Sequence, residues 1–191
     1  MTASPRLTGF ARSRFSPVLF DENHVMSQGD VDSLLDAARL APSAGNSQPW
    51  SFIVGRRGDD VHQRLVCHLA RSSASWAPSA SLLVANMSQR FVEGSTFEYS
   101  EFAQYDLGQA VAHLTFQTHA LGLAVHQFRA FDRDAIAVEF GVPPHWEVTT
   151  MAAIGSPVGA AETHVGSGTS RERRAANDVT WARVMDPDEG Q

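Results

Sequence analysis

The stretch with most to offer chemically is residues 41–50, where Ser43, Asn46, Ser47 and Gln48 lie between Pro42 and Pro49 and Trp50 follows. Proline fixes its own backbone angle and restricts the residue before it. The segment is therefore stiff, and its short side chains leave backbone N–H and C=O groups open to a ligand. Such a segment can form one wall of a site for a flat polar ring. Two further clusters could hold an anion: Arg12, Arg14 and Ser16 near one end of the chain, and Ser170, Arg171 and Arg173 near the other. Guanidinium forks beside a hydroxyl suit phosphate oxygens. Taken separately, each cluster reads first as a solvated patch, since exposed arginine is ordinary surface.

These residues must be positioned by regular elements. Ser27 with Asp30 three residues on reads as a helix cap, and Val31, Leu34, Leu35, Ala38 and Ala41 keep one-face spacing until Pro42 stops the helix. The polar segment thus joins this helix to a short strand at 51–55. A second helix over 59–69 and a buried strand over 81–87 follow. Residues 88–104, with Phe97, Tyr99 and Phe102 among polar neighbours, fit neither period and read as a partly helical lid. A long helix is predicted over 106–121, with Gly122 beyond its end, then a strand over 123–127, a helix from Asp132 to Phe140 and a strand over 148–154. Residues 1–16 show no periodicity and read as an arm. The polar tail after Gly155 carries Val179, Trp181 and Val184, which suggests that it docks on something.

Composition narrows the function classes. The chain has 191 residues, 43% hydrophobic and 19% charged, with a formal net charge of −6. That fits one globular domain and argues against a protein that wraps nucleic acid or coats an acidic membrane. One cysteine, Cys67, permits no intrachain disulfide and points to a reducing cytoplasm; the N-terminus has no apolar signal core. All 15 basic residues are arginine, which excludes mechanisms that need lysine, including Schiff bases and the phosphate-loop lysine. The eight histidines form no His-Glu-x-x-His pattern; His126 and His164 read as satisfied histidines, and no metal is expected. No Gly-x-Ser-x-Gly elbow or Gly-x-Gly-x-x-Gly fingerprint occurs.

Residues 42–50 followed by Ser51-Phe52-Ile53-Val54 closely resemble the signature of the FMN-dependent nitroreductase family. The resemblance extends over roughly residues 12–181 and orders the remaining candidates. Arg14, Ser16 and Phe20 match the family's N-terminal phosphate pattern, with Val18 where a cation is expected and Arg12 as a secondary contact. Pro42, Ser43, Ala44 and Asn46 match positions that line the isoalloxazine ring and sugar chain, often from the neighbouring subunit. Gln127, Arg129 and Ala130 stand where a backbone N–H meets flavin N5, and Arg171 and Arg173 match the paired basic residues of the C-terminus. The segment beginning Tyr105-Asp106-Leu107-Gly108 resembles the start of the interface helix.

The resemblance implies an α+β fold over residues 1–191, with a central mostly antiparallel sheet flanked by helices and a long interface helix. It implies a flexible arm over 1–11 and an extended C-terminal arm over 160–191 that crosses a homodimer partner. The implied activity is an FMN-dependent NAD(P)H oxidoreductase that reduces nitroaromatics, quinones or similar acceptors by ping-pong hydride transfer, with no protein nucleophile required. Phe97, Tyr99 and Phe102 are candidate lid contacts to an aromatic substrate, or simply helix-face packing. A flavin-dependent oxidase of a specialised substrate and a non-catalytic flavin-binding protein are the alternatives.

Overall fold

The computed structural model describes residues 7–166 and 169–182. A five-residue helix, α1 (Gly9–Ser13), interrupts what the sequence presents as an unstructured arm; the Thr8 hydroxyl caps it by accepting the Ala11 N–H at 3.3 Å. So short an element shows no period to read. Helix α2 (Gln28–Arg39) begins where the capping signal puts it. Ser27 Oγ accepts the Asp30 N–H, the Asp30 carboxylate accepts the Ser27 N–H, both at 3.1 Å, and Val31, Leu34 and Ala38 are buried.

Strand β1 (Trp50–Arg56) leads to helices α3 (Asp60–Cys67) and α4 (Arg71–Ala74) and then to strand β2 (Leu82–Gln89). The short α4 has no counterpart in the sequence pattern. Helix α5 (Ala103–Ala120) is the longest, strand β3 (Ala124–Phe128) follows it, and α6 (Arg133–Glu139) precedes strand β4 (Trp146–Gly155). The expected lid is not helical. An isolated bridge between Phe91 and Glu98 folds this segment back on itself, and the helix begins only at Ala103. Its aromatic spacing came from a turn and not from a helix face.

The four strands form one antiparallel sheet in the order β1-β2-β4-β3. Alternation along the central β2 gives the sheet two apolar faces. Leu82 and Val84 join α2 and α5 in one core cluster, while Leu83, Ala85 and Met87 join α3 and α6 in the other. The α+β architecture of helices flanking an antiparallel sheet is as the resemblance implies. Register between β2 and β4 shifts after Asn86, which leaves Thr149 as the extra residue of a bulge; its hydroxyl donates to the Asn86 carbonyl at 2.9 Å. Bulges re-aim side chains, and this one brings Thr149 and Thr150 to the groove beside α5.

Candidate functional site

Residues 41–50 are more strained than their composition suggests. A single 3-10 turn covers Ala44–Asn46, and Gly45, Asn46 and Gln48 all have positive φ, at 58°, 56° and 49°. Left-handed backbone at a non-glycine residue costs about 1–3 kcal/mol and persists only where the surroundings enforce it. Those surroundings are visible. Ser43 Oγ accepts the Gln48 N–H at 3.0 Å, and the Gln48 carbonyl accepts the Trp50 N–H at 2.9 Å. Asp106, buried in the first turn of α5, accepts the Ala44 N–H at 3.0 Å, and the Tyr99 hydroxyl donates to the Ser47 carbonyl at 3.0 Å. Trp50 is buried in the core cluster of α2 and α5.

Pro42, Ser43 and Ala44 line an open cleft with Phe102, Tyr105, Asp106 and Gln109. Asn46 is exposed just beyond. Of the lid candidates, Phe102 shares this cleft, Tyr99 is spent on holding the segment, and Phe97 is 77% exposed with no place in the cleft lining.

The arginines of the two chain ends meet. Burial, then the charges of Arg173 and Arg171, push the half-buried Arg14 guanidinium below its ordinary pKa. Arg14 reaches Ser16 Oγ at 3.4 Å, and Arg171 donates to the Arg12 carbonyl at 2.8 Å. Among the described residues no carboxylate pairs with Arg12, Arg14, Arg171 or Arg173. Clustered guanidinium groups with no internal counter-charge, beside a hydroxyl, form a donor set that suits a phosphate dianion.

From this cluster a groove runs along α5 and β3. Its first stretch is lined by Phe10, Arg14, Ser16, Ala112, Thr115, Phe116, Val125 and Gln127; Gln127 also lines the next stretch, with Leu107, Val111, Thr149, Thr150, Arg133 and Glu147. The Gln127 side chain donates to Thr115 Oγ1 at 3.1 Å. Arg129 turns elsewhere: its guanidinium donates to the Phe131 carbonyl at 3.0 Å and lies 5.1 Å from that ring's centroid. Ala130 presents its carbonyl to the Ala70 N–H and the Ser73 hydroxyl.

Sequence reasoning missed Asp106 as the anchor of the strained segment and missed the Arg133–Glu147 pair, 2.6 Å apart, at the far end of the groove. An acid in a helix's first turn ordinarily complements the macrodipole and draws no notice. The available signal was that Asp106 falls among buried residues.

A cationic cluster at one end of a groove and a wall of exposed backbone nearby have the chemistry to suit an elongated, phosphate-bearing ligand with a flat ring. The model of the nitroreductase family matches residues 11–156, and the chain belongs to that family. It is thus an FMN-dependent oxidoreductase by membership, and the arginine cluster fits the phosphate of that cofactor. Among relatives, an Archaeoglobus fulgidus protein named as a candidate NADH dehydrogenase/NAD(P)H nitroreductase is 28% identical over 136 residues, 69% of this chain and 75% of its own. A solved structure described as an oxidoreductase containing FMN is 25% identical with a TM-score of 0.84, covering 94% of this chain and 93% of its own. An Exiguobacterium sibiricum nitroreductase-like protein solved with FMN has a TM-score of 0.77 at 19% identity, covering 95% of this chain and all of its own.

Proposed function

We propose that the chain acts as a homodimer that takes hydride from NAD(P)H and passes it to nitroaromatics, quinones or related acceptors. The observation that carries this reading is the uncompensated arginine cluster at the mouth of a groove, set beside a polar segment held in left-handed backbone. Bound FMN supplies the acceptance and donation of hydride. The protein's part is to bind and to exclude water. Arg14, Arg171 and Arg173, with Ser16 and Arg12, hold the phosphate; Gln127 and Thr115 offer polar atoms along the groove; Pro42, Ser43, Ala44 and Asn46 cover the ring. No side chain is asked to act as nucleophile. Donor and acceptor would occupy the same site in turn, which would give ping-pong kinetics.

Within one chain the cleft of Pro42–Ala44 and the groove of Arg14 have no lining residue in common. This favours a site completed by a second copy, with the C-terminal arm reaching across it. Trp181 is wholly exposed and Val179 is 60% exposed, so neither docks on the described part of its own chain; Val184 lies outside the described residues. A cytoplasmic location belongs to the same reading; none of the described helices is long and apolar enough to cross a membrane.

The purified protein tests it. It should be yellow, NADH or NADPH should bleach it without air, and a quinone should restore the colour. A flavin that neither nicotinamide bleaches would reduce the protein to a flavin carrier, and a colourless protein that FMN cannot reconstitute would sink the reading altogether.

A further inference from the structure

We propose that His126 and His164 clamp a single peptide group, Pro17–Val18, and so act as positioning residues for the Arg14–Ser16 end of the cofactor site. The proposal rests on the phosphate assignment above. His126 Nδ1 lies 2.9 Å from the Pro17 carbonyl oxygen, and the Val18 N–H donates to His164 Nδ1 at 3.1 Å. The carbonyl and the N–H belong to the same peptide unit. Its two ends are therefore taken by imidazoles that come from β3 and from the C-terminal segment, 109 and 146 residues away in the chain.

The hydrogen-bond directions fix the chemistry of both rings. A carbonyl oxygen can only accept, so His126 carries its proton on Nδ1. The Val18 N–H can only donate, so Nδ1 of His164 is bare and its proton sits on Nε2. The two histidines thus hold opposite tautomers. Among the described residues Nε2 of His164 is buried without a hydrogen-bond partner, so Nδ1, bonded to Val18, makes the ring's one polar contact there.

Ring contacts hold both imidazoles in place. His126 stacks on Trp76 at 4.4 Å between centroids and an interplanar angle of 20°, and it meets the edge of Phe128. His164 lies 4.9 Å from the Phe15 ring, so it touches the anion-site segment twice, through Phe15 and through the Val18 N–H. A planar group held at both ends loses its freedom to rotate. Ser16 is bonded directly to the clamped proline, and Arg14 is two residues further back, bonded to Ser16 Oγ. Immediately after the clamp the Leu19 carbonyl accepts the Val158 N–H at 3.1 Å, which fixes the downstream side.

The test compares FMN with riboflavin, which has the same ring and sugar chain and no phosphate. Dissociation constants are measured by flavin fluorescence on the full-length protein and on His164→Ala, His164→Asn, His164→Gln, His126→Ala and His126→Asn. Asparagine sets an amide oxygen or nitrogen near the Nδ1 position, whereas glutamine reaches the Nε2 position. The alanine variants and His164→Gln should bind FMN about tenfold more weakly, as expected when an ordering hydrogen bond is lost, with riboflavin affinity unchanged. Both asparagine variants should recover the wild-type preference for FMN over riboflavin.

Equal losses for the two flavins, no loss for FMN, or recovery by glutamine but not by asparagine would each overturn the clamp. Should the alanine variants not fold, the contrast between His164→Asn and His164→Gln decides. Wild-type protein that binds riboflavin as tightly as FMN would instead overturn the phosphate assignment beneath it.

Discussion

Replacing both Arg171 and Arg173 by alanine separates an anion site from a merely basic surface, because the two make opposite demands on stability. In the protein alone these side chains push against Arg14, which is half-buried and already pulled below its ordinary pKa by burial and by their charges. Neither has a carboxylate partner among the described residues. Removing them relieves repulsion and forfeits no ion pair, and the hydrogen bond lost with Arg171, to the Arg12 carbonyl, is exposed, so the melting temperature without cofactor should stay level or rise. The bound cofactor should respond in the other direction. Hydrogen bonds to charged groups contribute about 1.5–3 kcal/mol each, and exposure of both arginines argues for the lower end of that range. Two such losses come to about 3 kcal/mol, or about a hundredfold in Kd. Titration of FMN fluorescence at low and physiological salt measures this, and the loss should shrink at higher salt because the Debye length shortens to about 8 Å at 0.15 M. Unchanged FMN affinity, or a riboflavin affinity that falls in parallel, would refute the phosphate grip.

Two further expectations follow from single contacts. Tyr99→Phe deletes the hydroxyl that holds the Ser47 carbonyl; stability should fall by about 0.5–1.5 kcal/mol, and FMN affinity should fall with it. A change confined to the acceptor's KM would instead make Tyr99 a substrate contact. On acidification, His62 and His126 both weaken the fold. Burial depresses each below the ordinary histidine value, opposed by Asp59 and assisted by Arg57 for His62, opposed by the Pro17 carbonyl and assisted by Arg14 for His126. The unfolded chain therefore takes up these protons first. Their contribution is present above about pH 6.5 and is lost as pH falls through the lowered native values. The urea midpoint should drop between about pH 7.5 and 5.5, and a flat profile there would contradict the assigned burial.

The sheet and the long helices were legible because their signals are local and repeated. Ser27 and Asp30 form the capping box that their spacing predicts, and the apolar run of β2 is buried on both faces of the sheet. Elements held by a few local contacts were not legible. Residues 91–98 are folded by the Phe91–Glu98 bridge and by turn hydrogen bonds such as Val92 N–H to the Phe97 carbonyl, and their aromatic residues follow neither a helical nor a strand period. The arginine cluster was visible only through the family resemblance, since Arg14 and Arg171 stand far apart in the chain and only folding brings them together. Asp106 shows the same limit from the other side. Its residue type was visible, but its partner, the Ala44 N–H, lies 62 positions away.

How α5 divides the site decides how the site can be completed. At roughly 100° per residue, Phe102, Tyr105, Asp106 and Gln109 fall on one flank of the helix, and Leu107, Val111 and Thr115 fall on another. The first flank faces the strained segment and the second faces the groove that leads to Arg14. Between them runs a ridge of Gly108, Ala112 and His119, with Tyr105, 67% exposed, and Phe116, 53% exposed, at its edge on the first flank. Two copies packed ridge to ridge about a twofold axis would lay the wall of each over the groove of the other, since such an interface is self-complementary. Complementation tests this. One variant carries Ser43→Trp, which blocks the wall, and the other carries Arg14→Ala, which weakens the grip; each homodimer should lose FMN. A heterodimer isolated with two tags would combine an intact wall from one chain with an intact grip from the other, and should regain flavin at one site of the pair. If wall and grip served the same ligand within one chain, every site in that heterodimer would carry one defect and no flavin would return.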